Sequence, residues 1–425
     1  MNLKNKIIKI KDKFNKYNGN EYKYVIDCLD TESKQKDYVD ILEKKFSKIF
    51  NAKYSIAFNS GTSTLHACLY AAGVGYGDEV IIPSQTVIMC TFAVLAQNAV
   101  PVYADIDKDT FNIDPKNIEK KITKKTKAII AVHMHGLPAQ MDEIMRIAKK
   151  NNLIVIEDSA QCVFGKIGKK STGSFGHFVS YSFETKKHIS GFEGGMVTTN
   201  DKDFAERVRK FGGLGYKTLR SSKSLSSLLP SQFQNPFYKR HDSLGLNYRM
   251  NKITAALVLG QLEKSKFLVS RRIKIANFFL ESIKNCKWLV PQYVQKGVRN
   301  TYWTFALKYY GDKFYGISWN TFYDMFKKLG GDGFYGGLSI VPDELILRNV
   351  SFIKNFLPNY KICGYCNIKN KEKCINKNLS NTCNNAYEVQ PRLMQFKTNY
   401  RSLQQAKIQA IILKKLIQKI DSKNY

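Results

Sequence analysis

The chain has 425 residues, 44% of them hydrophobic and 24% charged, with ten Pro and 27 Gly; this composition excludes a disordered, collagenous or low-complexity chain and leaves room for two domains with real cores. Lys and Arg number 67 against 35 Asp and Glu, a formal charge of +32 that favours anionic small molecules. The lysines are spread along the chain, no basic stretch is interleaved with stacking aromatics, and no run of about 18 apolar residues could span a bilayer, so neither nucleic acid nor a membrane is expected as a partner.

The opening stretch MNLKNKIIKIKDKFNK mixes Lys into its apolar positions and lacks the unbroken apolar segment of a secretory signal, so a cytoplasmic location is expected. The nine Cys, an odd number at uneven spacing, fit reduced thiols. From about residue 50 to 200 short β-branched runs alternate with helical patterns. Val80 to Ser84, Val102 to Ile106, Ala128 to Val132, Ile154 to Asp158, Phe178 to Phe183 and Met196 to Thr199 read as strands, too apolar on both faces for a half-exposed sheet. Thr62 to Ala72, Pro115 to Ile122 and Met141 to Asn152 read as helices, the second opened by Asp114 as a cap before a first-turn proline. This alternation predicts an α/β fold with a largely parallel sheet covered on both faces, and such sheets gather ligands at the carboxyl ends of their strands.

Residues 217 to 243 break the periodicity and read as a long surface excursion. A helix from about Asn251 to Ala276 follows and links a large domain, residues 1–260, to a small C-terminal α+β domain, residues 261–425, with a Cys-containing insertion near 361–384. The last helix, Ser402 to Ile420, carries an apolar stripe at Leu403, Ala406, Ala410, Leu413 and Ile417, which core packing explains.

Three stretches carry chemistry. Asn59-Ser60-Gly61-Thr62-Ser63 stands at the mouth of a helix, where free amides, hydroxyls and a glycine make a phosphate cradle or, more ordinarily, a Ser/Thr cap. Asp158 ends an apolar strand and is followed by Ser159, Ala160 and Gln161; it faces either a ligand or its own loop. Ser182-Phe183-Glu184-Thr185-Lys186-Lys187 runs from a strand into a Lys pair and then a glycine turn at Gly194 and Gly195. A Lys among packed apolar groups can act as a nucleophile, although most Lys pairs are simply solvated. A phosphate cradle, an Asp and a Lys are together what pyridoxal 5′-phosphate requires.

In GTSTLHACLYAAGVGYGDEVIIPS, PVYADIDKDTFNIDP, KTKAIIAVHMHGLPAQMDEI, VIEDSAQ, SFETKKHISGFEGGMVTTND and LGLNYRMNKITAALVLGQLEK, in that order and spacing, residues 50 to 300 resemble the DegT/StrS type of sugar aminotransferases, within the fold type I pyridoxal phosphate enzymes. The resemblance implies a seven-stranded-type, mainly parallel sheet with a smaller α+β domain, and transfer of an amino group from glutamate or glutamine to a keto sugar carried on a nucleotide. It implies Lys187 as the Schiff-base lysine, with Lys186 the less suitable neighbour, and Asp158 as the residue that keeps the pyridine nitrogen protonated. Gln161 would lie beside the ring, while Ser182 and the groups around Gly61, Thr62 and Ser63 would bind the phosphate. The NYRM segment would reach the cofactor of a neighbouring subunit through Asn247 or Arg249, which implies a homodimer.

Val87 stands where such sequences place a ring-stacking aromatic or His, and Phe192 stands where the turn has its first Gly. Two rival readings follow. In a pyridoxamine-dependent sugar dehydratase of the same fold a His replaces the Lys, and His188 is one residue away; the fixed spacing from Lys187 to Gly194 opposes that slip. A basic regulatory protein on an inactive scaffold is opposed by the presence together of Lys187, Asp158 and Gln161. Cys363, Cys366, Cys374 and Cys383 lie close enough in sequence to suggest zinc, but the second pair is not a CxxC and no His is near, so no metal is assigned. Gly331 to Gly336 satisfies GxGxxG yet follows a helical pattern, Trp319 to Leu329, which makes it a helix stop. GKIGKKST, residues 165–172, lacks the gap of a P-loop.

Overall fold

A computed structural model describes residues 14–30, 36–222, 229–338, 340–348 and 383–422. The alternating region forms β1 (Tyr54–Phe58), β2 (Glu79–Pro83), β3 (Val100–Ala104), β4 (Thr126–Val132), β5 (Ile154–Asp158), the short hairpin strands β6 (Lys166–Ile167) and β7 (Lys170–Ser171), then β8 (Phe178–Ser182) and β9 (Gly195–Thr199). Seven of these make one sheet in the order β1-β9-β8-β5-β4-β2-β3. Strand β9 is antiparallel to both β1 and β8, and the remaining pairs, β8-β5, β5-β4, β4-β2 and β2-β3, are parallel. The seven-stranded, mostly parallel α/β sheet expected from the sequence is therefore the observed one.

Both faces of this sheet are apolar because successive residues of each strand point to opposite sides. Val80, Ile82, Ala128, Ile130 and Ile156 pack with Leu65, Leu69, Val208 and Phe211 on one side. Ile81, Ile129, Ala131 and Val155 pack with Ile144, Ile147 and Ala148 on the other. Each fully buried aliphatic side chain contributes about 1.5–3 kcal/mol, so register is strongly fixed. The predicted helices appear as Gly61–Ala71, Pro115–Lys121 and Met141–Lys150, the second with Asp114 accepting from the Lys116 amide. Strand β1 and the helix Met89–Ala96 are two elements the periodicity did not single out.

The single helix expected from Asn251 to Ala276 is two: Lys252–Glu263, capped by Asn251, and Ser265–Ile283, with Lys264 (φ −108°, ψ 13°) between them. Its apolar periodicity runs on through the break, but the Lys264 ammonium is drawn to Glu21 at 2.7 Å and to Asn18 at 3.0 Å, contacts that no local pattern contains. Beyond it, β10 (Leu289–Pro291), β12 (Thr304–Tyr309) and β13 (Leu393–Lys397) form an antiparallel sheet in the order β10-β12-β13, while β11 (Val298–Arg299) pairs with β6. A second core of Phe279, Trp288, Phe305, Phe322, Phe326, Phe334 and Phe396 lies here. The last helix, Leu403–Asp421, is capped by Ser402 and buries Ala406, Ala410, Leu413 and Ile417 against this core.

The GxGxxG stretch follows the helix Trp319–Lys328, and GKIGKKST folds into the β6-β7 hairpin. Cys363, Cys366 and Cys374 lie outside the described residues; Cys383 is buried beside Ile106, Phe111 and Ala306. Among the described residues no cluster of three His, Cys, Asp or Glu is placed to hold a metal ion, and no helix is long and apolar enough to cross a membrane.

Candidate active site at the carboxyl edge of the sheet

Strands β1, β8 and β5 end on the same edge, and the turn from β8 into β9 crosses it. The edge therefore collects the start of the Gly61–Ala71 helix, Ser182 at the end of β8, Asp158 at the end of β5, and Lys187 in the turn.

At the helix start Ser60 accepts from the Ser63 amide at 3.1 Å, and the Ser63 hydroxyl accepts from the Ser60 amide at 3.2 Å and donates to Asn59 at 2.7 Å. This capping box satisfies one of the helix's open amides and fixes the entry of the chain. The amide and hydroxyl of Ser63 are thereby committed to the cap, which leaves the backbone at Gly61 and Thr62 to face an anion. A Cβ on Gly61 would stand 2.9 Å from the Cβ and 3.1 Å from the Oγ of Ser182, so glycine is what lets the helix start lie against the end of β8.

Asp158 is buried, and desolvation pushes its carboxyl above the usual range. The Ala160 amide donates to its Oδ1 at 2.9 Å, and the Cys90 thiol lies 3.8 Å from Oδ2. Three residues on, Gln161 is also buried and accepts from the His135 amide at 2.8 Å.

Lys187 and Lys186 separate clearly. Lys186 is exposed, whereas Lys187 is half-buried and its ammonium lies 4.6 Å from the centre of the Trp303 ring. Burial lowers the Lys187 pKa, an effect opposed by the charges of Asp158 and Glu184. Its backbone is held as well: the Lys187 amide donates to the Glu184 carbonyl at 2.9 Å, and Arg272 donates to the carbonyls of Lys186 at 2.6 Å and Lys187 at 3.2 Å. His188 turns away, its Nε2 lying 3.1 Å from the Thr301 carbonyl. Where the turn closes, Gly194 has φ +130°, and a Cβ there would meet the Met250 methyl at 3.0 Å. Phe192, by contrast, holds φ +69° without being glycine, a conformation that costs roughly 1–2 kcal/mol.

Asn247 and Arg249 are exposed on a segment bridged to Gly213 and Phe58, and among the described residues no hydrogen bond joins their side chains to the Lys187 cluster. Val87 is half-buried against the main core. Trp303, Arg272 and Cys90 were not singled out from the sequence. Trp303 and Arg272 lie far along the chain, and Cys90 carries no motif; only the apolar run around it marks a buried position.

The profile of the DegT/DnrJ/EryC1/StrS aminotransferase family matches residues 16–313. Among similar proteins, the chain is 37% identical over 291 residues to the GDP-perosamine synthase of Escherichia coli O157:H7, covering 68% of this chain and 75% of that one. It is 38% identical over 250 residues to the dTDP-3-amino-3,6-dideoxy-alpha-D-galactopyranose transaminase of Aneurinibacillus thermoaerophilus, covering 58% and 63%. In three dimensions it matches the aminotransferase from Psychrobacter cryohalolentis at TM-score 0.78 and 25% identity over 95% of this chain and 96% of that one. The same fold occurs, at 20% identity and TM-score 0.75, in a protein from Streptococcus pneumoniae assigned as a sugar aminotransferase and solved in PMP and PLP forms; the matches cover 94% of this chain and 97% and 96% of those chains. With a family profile that takes in well over half of its length and a fold to match, the chain belongs to the DegT/DnrJ/EryC1/StrS aminotransferase family, a family of pyridoxal-phosphate-dependent sugar aminotransferases.

Proposed function

We propose that the protein moves an amino group from glutamate or glutamine to a keto sugar carried on a nucleoside diphosphate, with pyridoxal 5′-phosphate seated at the carboxyl edge of the sheet. The observation that carries this reading is the grouping of a half-buried Lys187, a buried Asp158 and a helix start at Gly61 packed on Ser182, all on one edge. These residues fit the cofactor: the glycine lets the helix start lie against the Ser182 hydroxyl, the amine is desolvated, and the carboxylate awaits a cationic partner. Gly61, Thr62 and Ser182 would hold the phosphate, with Ser63 supporting them through the cap. Gln161, tied to His135, would lie beside the ring. Asn247 or Arg249 would complete the site of a second copy in a homodimer, which accords with their exposure in the single chain. The division into a large domain to about residue 260 and a small one beyond it is part of the same reading.

When bound, the cofactor supplies an electron sink for the charge left at a substrate carbon that loses its proton. Lys187 would carry out the proton movement: burial lowers its pKa from the ordinary lysine range, which favours the free amine that takes the proton and returns it. Asp158, whose carboxyl burial pushes up, would ionise opposite a positively charged ring nitrogen and would keep the proton on it. Names of two relatives, a GDP-sugar synthase and a dTDP-sugar transaminase, support a nucleotide-linked sugar. His188, bonded to the Thr301 carbonyl, is poorly placed to replace the lysine as the dehydratase reading requires.

The experiment is borohydride reduction followed by mass mapping, together with product analysis. The adduct should fall on Lys187 and vanish in Lys187→Ala. With glutamate or glutamine and a panel of nucleotide-linked keto sugars, the product should gain nitrogen. An adduct on Lys186, no adduct at all, or loss of water without gain of nitrogen would each overturn the proposal.

A further inference from the structure

The turn that carries Lys187 is held from outside by a segment far away in sequence. We infer that residues 14–19 form a positioning strap for this turn, Lys16 holding its carbonyl oxygens and Tyr17 stacking on Phe192. The inference rests on the reading of Lys187 as the cofactor lysine and adds residues that hold it in place.

Lys16 donates from Nζ to the carbonyl of Lys187 at 3.0 Å and to that of Thr185 at 3.3 Å. One position on, the Tyr17 ring stacks on Phe192 with centroids 5.4 Å apart and planes 24° from parallel. The Tyr17 hydroxyl shares a 3.1 Å hydrogen bond with the Ser190 hydroxyl, which in turn accepts from the Phe192 amide at 3.3 Å. Thr185 closes the unit by donating to the Phe192 carbonyl at 3.2 Å. The strap thus grips the turn on both sides of Lys187.

Each end of the strap is itself tied down. The Phe14 amide donates to the Arg401 carbonyl at 2.6 Å, the Phe14 ring packs edge-on against Phe267, and the Arg271 guanidinium lies 4.7 Å from its centre. Toward the other end Gln261 donates to the Lys16 carbonyl at 2.7 Å, Lys264 donates to Asn18 at 3.0 Å, and Glu21 accepts from the Gly19 amide at 2.7 Å. A segment anchored at both ends and pressed on the turn in the middle restricts where the Lys187 backbone can go.

This arrangement gives a physical account of Phe192. A phenylalanine that is 53% exposed gains little from core burial, yet it holds a backbone angle suited to glycine. Such strain persists where the surroundings over-determine it, and here they are Tyr17, Ser190 and Thr185. The aromatic ring is the dock for the strap, which a glycine could not provide. Because small displacements of a reacting group cost rate steeply, fixing the turn fixes the reach of the Lys187 amine.

The test uses the full chain with Lys16→Met, Lys16→Arg, Tyr17→Ala and Phe192→Gly. Hydrogen exchange of amides 185–192 should rise about tenfold in Lys16→Met, Tyr17→Ala and Phe192→Gly, while exchange in β4 and β5 stays as in the parent. In the cofactor-loaded protein, Lys16→Met should move the pH midpoint of the visible band, and Lys16→Arg should restore both midpoint and exchange. Unchanged exchange in the turn for both Lys16→Met and Phe192→Gly, or a rise spread equally over the sheet, would overturn the strap. Exchange decides the strap whether or not cofactor binds, whereas a missing borohydride adduct on Lys187 in the parent protein would sink the cofactor reading alone.

Discussion

The corner at residues 59–63 and the turn at residues 184–194 meet at the bridge between Ser60 and Gly194, yet they are built by opposite means. The corner is fixed by its own neighbours: Asn59, Ser60 and Ser63 exchange hydrogen bonds within five residues, and the glycine follows from contact with the next strand end. The turn is fixed by hydrogen bonds from Arg272, Trp303 and the Lys16–Tyr17 pair, between 85 and 173 residues away along the chain. A phosphate cradle needs only amides aimed at one point, which a helix start supplies locally. A reactive lysine needs desolvation and a charged neighbour, and these come from tertiary packing.

The largest effect expected on the site lies at neither stretch but at Asp158, whose charge acts on Lys187. Asp158→Asn keeps the shape and an acceptor for the Ala160 amide while removing the charge. Turnover should fall by on the order of 10³-fold with the cofactor still loaded. The folded state should lose little, since a buried carboxylate with a raised pKa is costly to keep ionised. A variant with near-parent turnover would remove Asp158 from the chemistry.

Gly61→Ala tests the local side of the comparison. Its methyl would sit 2.9 Å from the Ser182 Cβ, so overpacking should cost about 1–3 kcal/mol in denaturant unfolding and weaken cofactor retention. Adding Ser182→Gly should recover most of the stability, because the clash is with that Cβ. Loss that persists in the double variant would show that the helix start is constrained by something else. Smaller again is Ser60→Ala, which removes the cap acceptor and should cost about 1 kcal/mol. An unchanged unfolding midpoint would mean that solvent replaces the cap.

Legibility in the sequence follows the same division. Strands β2, β4 and β5 were readable because buried parallel strands are unbroken apolar runs, and Asp158 at the end of β5 was readable because a charged residue closes such a run. The choice of Lys187 over Lys186 rested on spacing to Gly194, and the half-burial of one and exposure of the other agree with it. Strand β1 escaped because YSIAF mixes Tyr and Ser into its apolar run and follows a helix closely; the break at Lys264 escaped because the apolar pattern continues through it, while the contacts of its ammonium, Glu21 and Asn18, lie far away in sequence. Lys16, Arg272 and Trp303 escaped for a related reason: each acts on backbone carbonyls of the turn, and carbonyls leave no trace in side-chain spacing.

The finest separation of the two stretches is by pH. Burial, with the nearby charges of Arg272 and Lys264, lowers the Lys16 pKa to about 7 from an ordinary 10.5, and Glu184 only partly opposes this. In the unfolded chain the same amine keeps its proton until near the ordinary value, so between these limits the unfolded state binds more protons. The penalty for holding a charged Lys16 is thus fully present below about pH 7 and is relieved as pH rises toward 10.5. Its amine carries hydrogens in both states, so the bond to the Lys187 carbonyl does not require the charge. Stability measured by denaturant unfolding should therefore rise more steeply from about pH 7 to 9.5 in the parent than in Lys16→Met. Lys187 is lowered in the same direction and contributes its own slope to both proteins, so the difference between the two curves isolates Lys16. Ser60→Ala, which removes no titrating group, should shift the curve downward without changing its slope. Parallel curves for the parent and Lys16→Met would show that Lys16 titrates as it does in the unfolded chain, and the buried position of its amine would then have to be abandoned.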